Sequence, residues 1–137
     1  MTTKPLTEQW QSILQNKENL LESATSVLAA SEYVLNQGER QPHRITELFE
    51  SGDIELVYAE DGYQKRLQSR LETVQDEASL HQQLRAFRQR EMVRIIWRDL
   101  AGWADLAETV RELTALADCC VEQALNKLYQ WQTQLLG

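Results

Sequence analysis

Apolar residues recur three and four apart almost from end to end of this chain, and the residues that interrupt helices are scarce. Only five Gly and two Pro occur in 137 residues. A sandwich or barrel of short strands needs far more turn residues than that, so the pattern predicts an all-α fold. Leu6, Trp10, Ile13 and Leu14 form a first stripe, on a helix starting near Thr7. A second helix, capped near Ser23, carries Val27, Leu28, Val34 and Leu35 and is expected to stop at Gly38. Pro42 suits the first turn of a third, with Ile45, Leu48 and Phe49 inside and Gly52 at its end. Ile54, Leu56 and Tyr58 alternate like a strand, but no second strand is available to pair with them, so residues 53–62 are read as a loop or single turn. Tyr63, Leu67, Leu71 and Val74 define a fourth helix. Asp76 or Ser79 caps a fifth, which runs to about Ala101 and ends at Gly102. Asp105 and Glu108 have capping-box spacing ahead of a long sixth helix, with a seam of Leu106, Val110, Leu113, Ala117, Cys120, Ala124 and Leu128. Residues 1–137 thus read as one helical domain, a bundle of five to six mainly antiparallel helices.

The fifth helix is unusual in having two apolar stripes. Leu80, Leu84, Phe87 and Ile95 make one, and Val93, Ile96, Trp97 and Leu100 the other. A helix apolar on two sides is packed on two sides, which places this element at the centre of the bundle, or between it and a second body; a stripe left uncovered would let the chain dimerise. Between residues 85 and 98, Arg85, Arg88, Arg90, Arg94 and Arg98 face only Glu91, within a chain of net charge −7. Arg90, Arg94 and Arg98 step by four along one edge. These arginines either pair with acids of neighbouring helices or, with Trp97, reach a partner domain or a phosphate-bearing ligand; Arg88, Arg90, Arg94, Arg98 and Trp97 are the candidate contact residues. Glu91 falls on an apolar stripe and needs a charge partner there, with Arg88, Arg94 or Arg98 within helical reach.

Other chemistries find little support. Cys119 and Cys120 are adjacent, which does not suit disulfide geometry, and read as thiols at the core edge. His43 and His81 lie on separate segments without a nucleophile beside them, and no paired Glu-x-x-His motif exists for a di-metal site. No apolar run approaches the ~20 residues that cross a bilayer, and the N-terminal sequence has no secretory h-region, so the expected compartment is the cytoplasm. The acidic balance argues against nucleic-acid binding by bulk charge. Trp10, Trp97, Trp103 and Trp131 read as core or interface anchors.

The segments FRQREMVRIIWRDLAG (Phe87 to Gly102) and ADLAETVRELTALADCCVEQAL (Ala104 to Leu125) are more specific. They resemble the helical region preceding the first nucleotidyltransferase domain of bacterial glutamine synthetase adenylyltransferase, also called the adenylyl-removing enzyme. Phe87, Arg88, Arg90, Met92, Arg94, Ile95, Trp97, Arg98 and Asp99 match the Arg-rich part of that pattern. Leu113, Leu116, Ala117 and Asp118 match the helix that follows, with Thr114 where Ser is usual. Residues 1 to 75 agree more loosely, around Pro42. The resemblance implies a parent enzyme that attaches AMP from ATP to a tyrosine of glutamine synthetase and removes it by phosphorolysis, with ATP and Mg as cofactors. It implies as partners a downstream nucleotidyltransferase domain, glutamine synthetase and its regulatory protein. The paired-Asp strand motif that would hold the metal in that family is absent here, and Glu60-Asp61-Gly62 does not replace it. No catalytic or metal-binding residue is therefore carried over and no cofactor is expected in this chain, which reads as an inactive helical part of that enzyme. A freestanding helical interaction module is the alternative.

Overall fold

The computed structural model describes residues 5–136. Among them are seven α-helices, one 3-10 turn and no strand. The helices are α1 (Leu6–Leu14), α2 (Glu18–Ala30), α3 (Glu32–Arg40), α4 (Pro42–Ser51), α5 (Gly62–Leu71), α6 (Glu77–Leu100) and α7 (Leu106–Leu136), and the 3-10 turn is Asp53–Glu55. No described helix is long and apolar enough to cross a membrane. The all-α reading holds, with one more helix than expected.

The extra helix arises because the expected second helix is two. Ser31 leaves helical geometry at φ −131°, and its hydroxyl accepts the Val34 N–H at 3.2 Å, ending α2 and capping α3 in one residue. The helix also begins earlier than Ser23, whose hydroxyl bonds back to the carbonyls of Asn19 and Leu20 within α2. Gly38 does not end a helix. It lies inside α3 where α1 crosses, so close that a Cβ there would sit 2.7 Å from Leu6 Cδ1 and 2.9 Å from Trp10 Cζ2. The terminator role falls to Gly52 and Gly102, both left-handed, at φ 79° and 78°. At the head of α6, Asp76 accepts the Ser79 N–H at 2.7 Å while the Ser79 hydroxyl faces the Asp76 backbone, a reciprocal cap. At the head of α7, Asp105 accepts the Glu108 N–H at 2.8 Å.

Two apolar cores share α6. One gathers α1 to α4 and the 3-10 turn against Val93 and Trp97, and the other gathers α5 and α7 against Leu80, Phe87 and Ile95. These are the two stripes read from the sequence, except that Leu100, assigned to the second, is exposed. In the first core Trp10, Phe49 and Trp97 meet at ring-centroid distances of 5.0, 5.4 and 6.1 Å, and the Trp97 indole N–H donates to Ser23 Oγ at 2.9 Å. The seam assigned to α7 needs correction. Its inward residues are Leu116, Cys119 and Gln123, whereas Leu106, Val110, Leu113 and Leu128 are exposed. The chain folds the weaker of two apolar faces inward.

Candidate functional site

The arginine ladder of α6 runs along the seam where α6 meets the 3-10 turn, α5 and α7. Residues four apart on a helix rise about 6 Å per step and stay on one edge. Arg90, Arg94 and Arg98 therefore present three guanidinium groups in a row, and all three are buried.

Each finds acceptors within the chain. Arg90 donates to Glu47 at 2.8 Å, to Asp53 at 2.7 Å and to Ser51 at 3.1 Å, and also to Glu91. Arg94 donates to the Asp53 carbonyl at 3.0 Å, to the Leu56 carbonyl, and to Tyr63 Oη and Glu112, each at 3.1 Å. Arg98 reaches the Ile54 carbonyl and Glu108, each at 3.3 Å. Arg66 of α5 grips Asp53 through two nitrogens, at 2.8 and 3.1 Å. Its guanidinium lies 3.8 Å from the Tyr58 ring centroid, and that of Arg94 lies 3.5 Å from the same centroid. Side chains from α4, α5 and α7 and the carbonyls of residues 53–56 thus converge on one edge of α6.

Electrostatics follow from this packing. Burial raises the Asp53 pKa, but hydrogen bonds from Arg66 and Arg90 outweigh it and hold the carboxyl at about 2. Burial likewise works against the charge of Arg90, yet Glu47, Glu91 and Asp53 raise its pKa above the ordinary arginine value. The phenols of Tyr58 and Tyr63 are pushed far up, first by burial and then by Glu91 and Glu112 respectively, so both stay protonated as donors. Glu91, fully buried, takes its charge partner from the adjacent Arg90 rather than from Arg88, Arg94 or Arg98. The reason is local: Arg94 and Arg98 are drawn to the backbone of residues 53–56, while Arg88 faces solvent.

Of the candidate contact residues, Arg90, Arg94, Arg98 and Trp97 are therefore occupied inside the fold, and Arg88 is exposed. Sequence reading missed Asp53, Glu47, Glu108 and Glu112, which lie on three other elements; the periodic ladder signalled that acceptors must exist without locating them. His43 and His81 are both exposed. Cys119 is buried, which raises its thiol to about 11, and Cys120, half-buried, is raised as well, so neither is a ready thiolate. Among the described residues no cluster of three His, Cys, Asp or Glu is arranged to hold a metal ion. The carboxylates of the ladder are already neutralised by guanidinium groups and do not fit a divalent cation.

A second feature lies on the outer side of the α6–α7 pair. A cleft of about 330 Å³ is lined by His81, Leu84, Arg85 and Arg88 on one bank and by Cys120, Val121 and Ala124 on the other.

Comparison with known proteins bears on both features. The family model for glutamate-ammonia ligase adenylyltransferase matches residues 21–137. The bifunctional glutamine synthetase adenylyltransferase/adenylyl-removing enzyme of Nitrosococcus oceani is 45% identical over 121 residues, which is 88% of this chain and 12% of that protein. The enzyme of the same name from Pseudomonas aeruginosa is 43% identical over 120 residues, with the same coverage of each, and that of Shewanella loihica is 31% identical over 138 residues, covering 95% of this chain and 14% of the relative. The chain therefore spans about an eighth of the length of these curated relatives. No solved structure matches it. With its arginine ladder and the helix after it both inside the matched span, the chain belongs to the glutamate-ammonia ligase adenylyltransferase family.

Proposed function

We propose that this chain is a helical scaffold unit of a bifunctional enzyme that adenylylates and deadenylylates glutamine synthetase, and that the reacting groups are carried elsewhere on the polypeptide. The observation behind this reading is how the ionisable side chains are used. Arg90, Arg94, Arg98, Asp53, Glu91 and Glu112 are the ionisable groups that the fold gathers in its interior, and each is held by another of this set or by a backbone carbonyl. Such a network fixes the relative positions of α4, α5, α6 and α7 and commits these six charges to the fold rather than to a nucleotide. ATP and Mg, which supply and activate the transferred adenylyl group, belong on this reading to a nucleotidyltransferase part of the same protein, as do the contacts of the reaction itself with glutamine synthetase and its regulatory protein. The enzyme works in the cytoplasm, where glutamine synthetase is found on this reading.

The test is direct. The purified 137-residue chain is expected to be strongly helical by circular dichroism and to show neither AMP transfer to glutamine synthetase nor AMP release from the adenylylated form. The polypeptide encoded by the whole gene is expected to show both. Turnover by the 137-residue chain in a clean preparation overturns the assignment.

A further inference from the structure

The long helix α7 buries only three of its 31 residues, Leu116, Cys119 and Gln123, among those described. Its opposite side is more apolar than the side it buries. Val110, Leu113, Val121, Leu125 and Leu128 are 53%, 39%, 60%, 61% and 39% exposed and recur at helical spacing over five turns. A stripe of that length is a recognition surface rather than scattered exposed leucines. It has a charged edge. Across the cleft from Val121 lie His81, Arg85 and Arg88, stepping by four and three along α6, and among the described residues neither arginine forms an ion pair. That is a cationic bank on a chain of net charge −7, which points to an acidic counterpart.

We propose that this groove, the α7 outer stripe with the α6 basic bank, is the docking surface for an apolar, acid-edged helix carried elsewhere on the same polypeptide. The inference rests on the proposed function above and names the surface through which the scaffold would act. Two observations select this occupant. The relatives extend far beyond the matched region, which is 12% of their length, so a covering segment is available in cis at high effective concentration. A second copy packed about an antiparallel twofold along α7 would set basic bank against basic bank, which disfavours it.

The experiment reads solvent access at the centre of the stripe. In a Cys119→Ala, Cys120→Ala background, Val121→Cys is introduced into the 137-residue chain and into the polypeptide encoded by the whole gene, with helix content checked by circular dichroism. Labelling by a small maleimide is then followed. The thiol is expected to react freely in the 137-residue chain at every concentration, and at least about tenfold more slowly in the longer polypeptide. Arg85→Glu with Arg88→Glu is expected to restore most of that rate in the longer polypeptide. Equal rates in the two polypeptides overturn the proposal. Protection that appears in the short chain as its concentration rises assigns the groove to a second copy and overturns it equally. Protection unaffected by the double charge reversal removes the acid-edged partner. Adenylyl transfer measured on the same longer polypeptide is independent of these rates, so loss of the docking proposal is separable from loss of the functional reading.

Discussion

Arg94 shows how much one side chain can hold. It is fully buried, donates to two backbone carbonyls and a tyrosine, and neutralises Glu112 on another helix. Replacing one member of a buried, hydrogen-bonded pair strands its partner, and such losses run to about 3–5 kcal/mol. Arg94→Met is therefore expected to lower the stability of the 137-residue chain by about that amount in urea unfolding. Arg94→Met combined with Glu112→Leu should recover a large part, because the second change removes the stranded charge. A double variant no more stable than Arg94→Met alone would show that the carbonyl contacts, not the ion pair, dominate.

Among the elements, α3 and α7 teach opposite lessons about reading a sequence. At Gly38 the residue type suggested a helix end, and the structure uses it for close approach of α1 to α3. Gly38→Ala drives a methyl into Leu6 and Trp10 and is expected to cost about 1–3 kcal/mol by overpacking, against a small gain in helix propensity. A Gly38→Ala chain with an unchanged or raised melting temperature would contradict the packing. In α7 the periodicity was legible, but which face turns inward was not. The buried face includes Gln123 and Cys119, whereas the outer one carries Leu113, Val121 and Leu125, so hydrophobicity alone selects the wrong side. What decides is the ion pairs: Glu108 and Glu112 on α7 must meet Arg98 and Arg94 on α6, and those contacts fix the rotation of the helix. The two stripes of α6 were legible because each is strongly apolar and each has its own core.

For the whole molecule, the ladder makes stability depend on acid. Asp53 titrates at about 2 in the folded chain against an ordinary value of 3.8. A folded-state pKa below the unfolded one gives stability that is fully present above the unfolded value and lost as pH falls through the folded one. The chain is accordingly expected to keep its urea midpoint from neutral pH down to about 4 as far as Asp53 is concerned, and to lose stability between about 4 and 2. Asp53→Asn should flatten that part of the profile while lowering stability near neutral pH. A profile of unchanged slope in the variant would assign acid sensitivity to other carboxylates. Little of this was visible in sequence. Residues 53–62 have no helical period, and they serve the ladder with backbone and side chains alike: the carbonyls of Asp53, Ile54 and Leu56 accept from Arg94 and Arg98, the Asp53 carboxylate accepts from Arg90, and the Tyr58 ring lies against Arg94. Backbone acceptors carry no sequence signature, so the segment read as a loop or single turn is the strip on which the ladder rests.

The 31 residues of α7 make a rod about 46 Å long that is held at several stations: by Glu108 and Glu112 near its start, by Leu116 and Cys119 in the core shared with α5 and α6, and by Trp131, packed against that core near the far end. A rod fixed at several stations does not pivot about the elbow at Gly102. A load on its distal turns is shared with α5 and α6, and α7 moves only in concert with them.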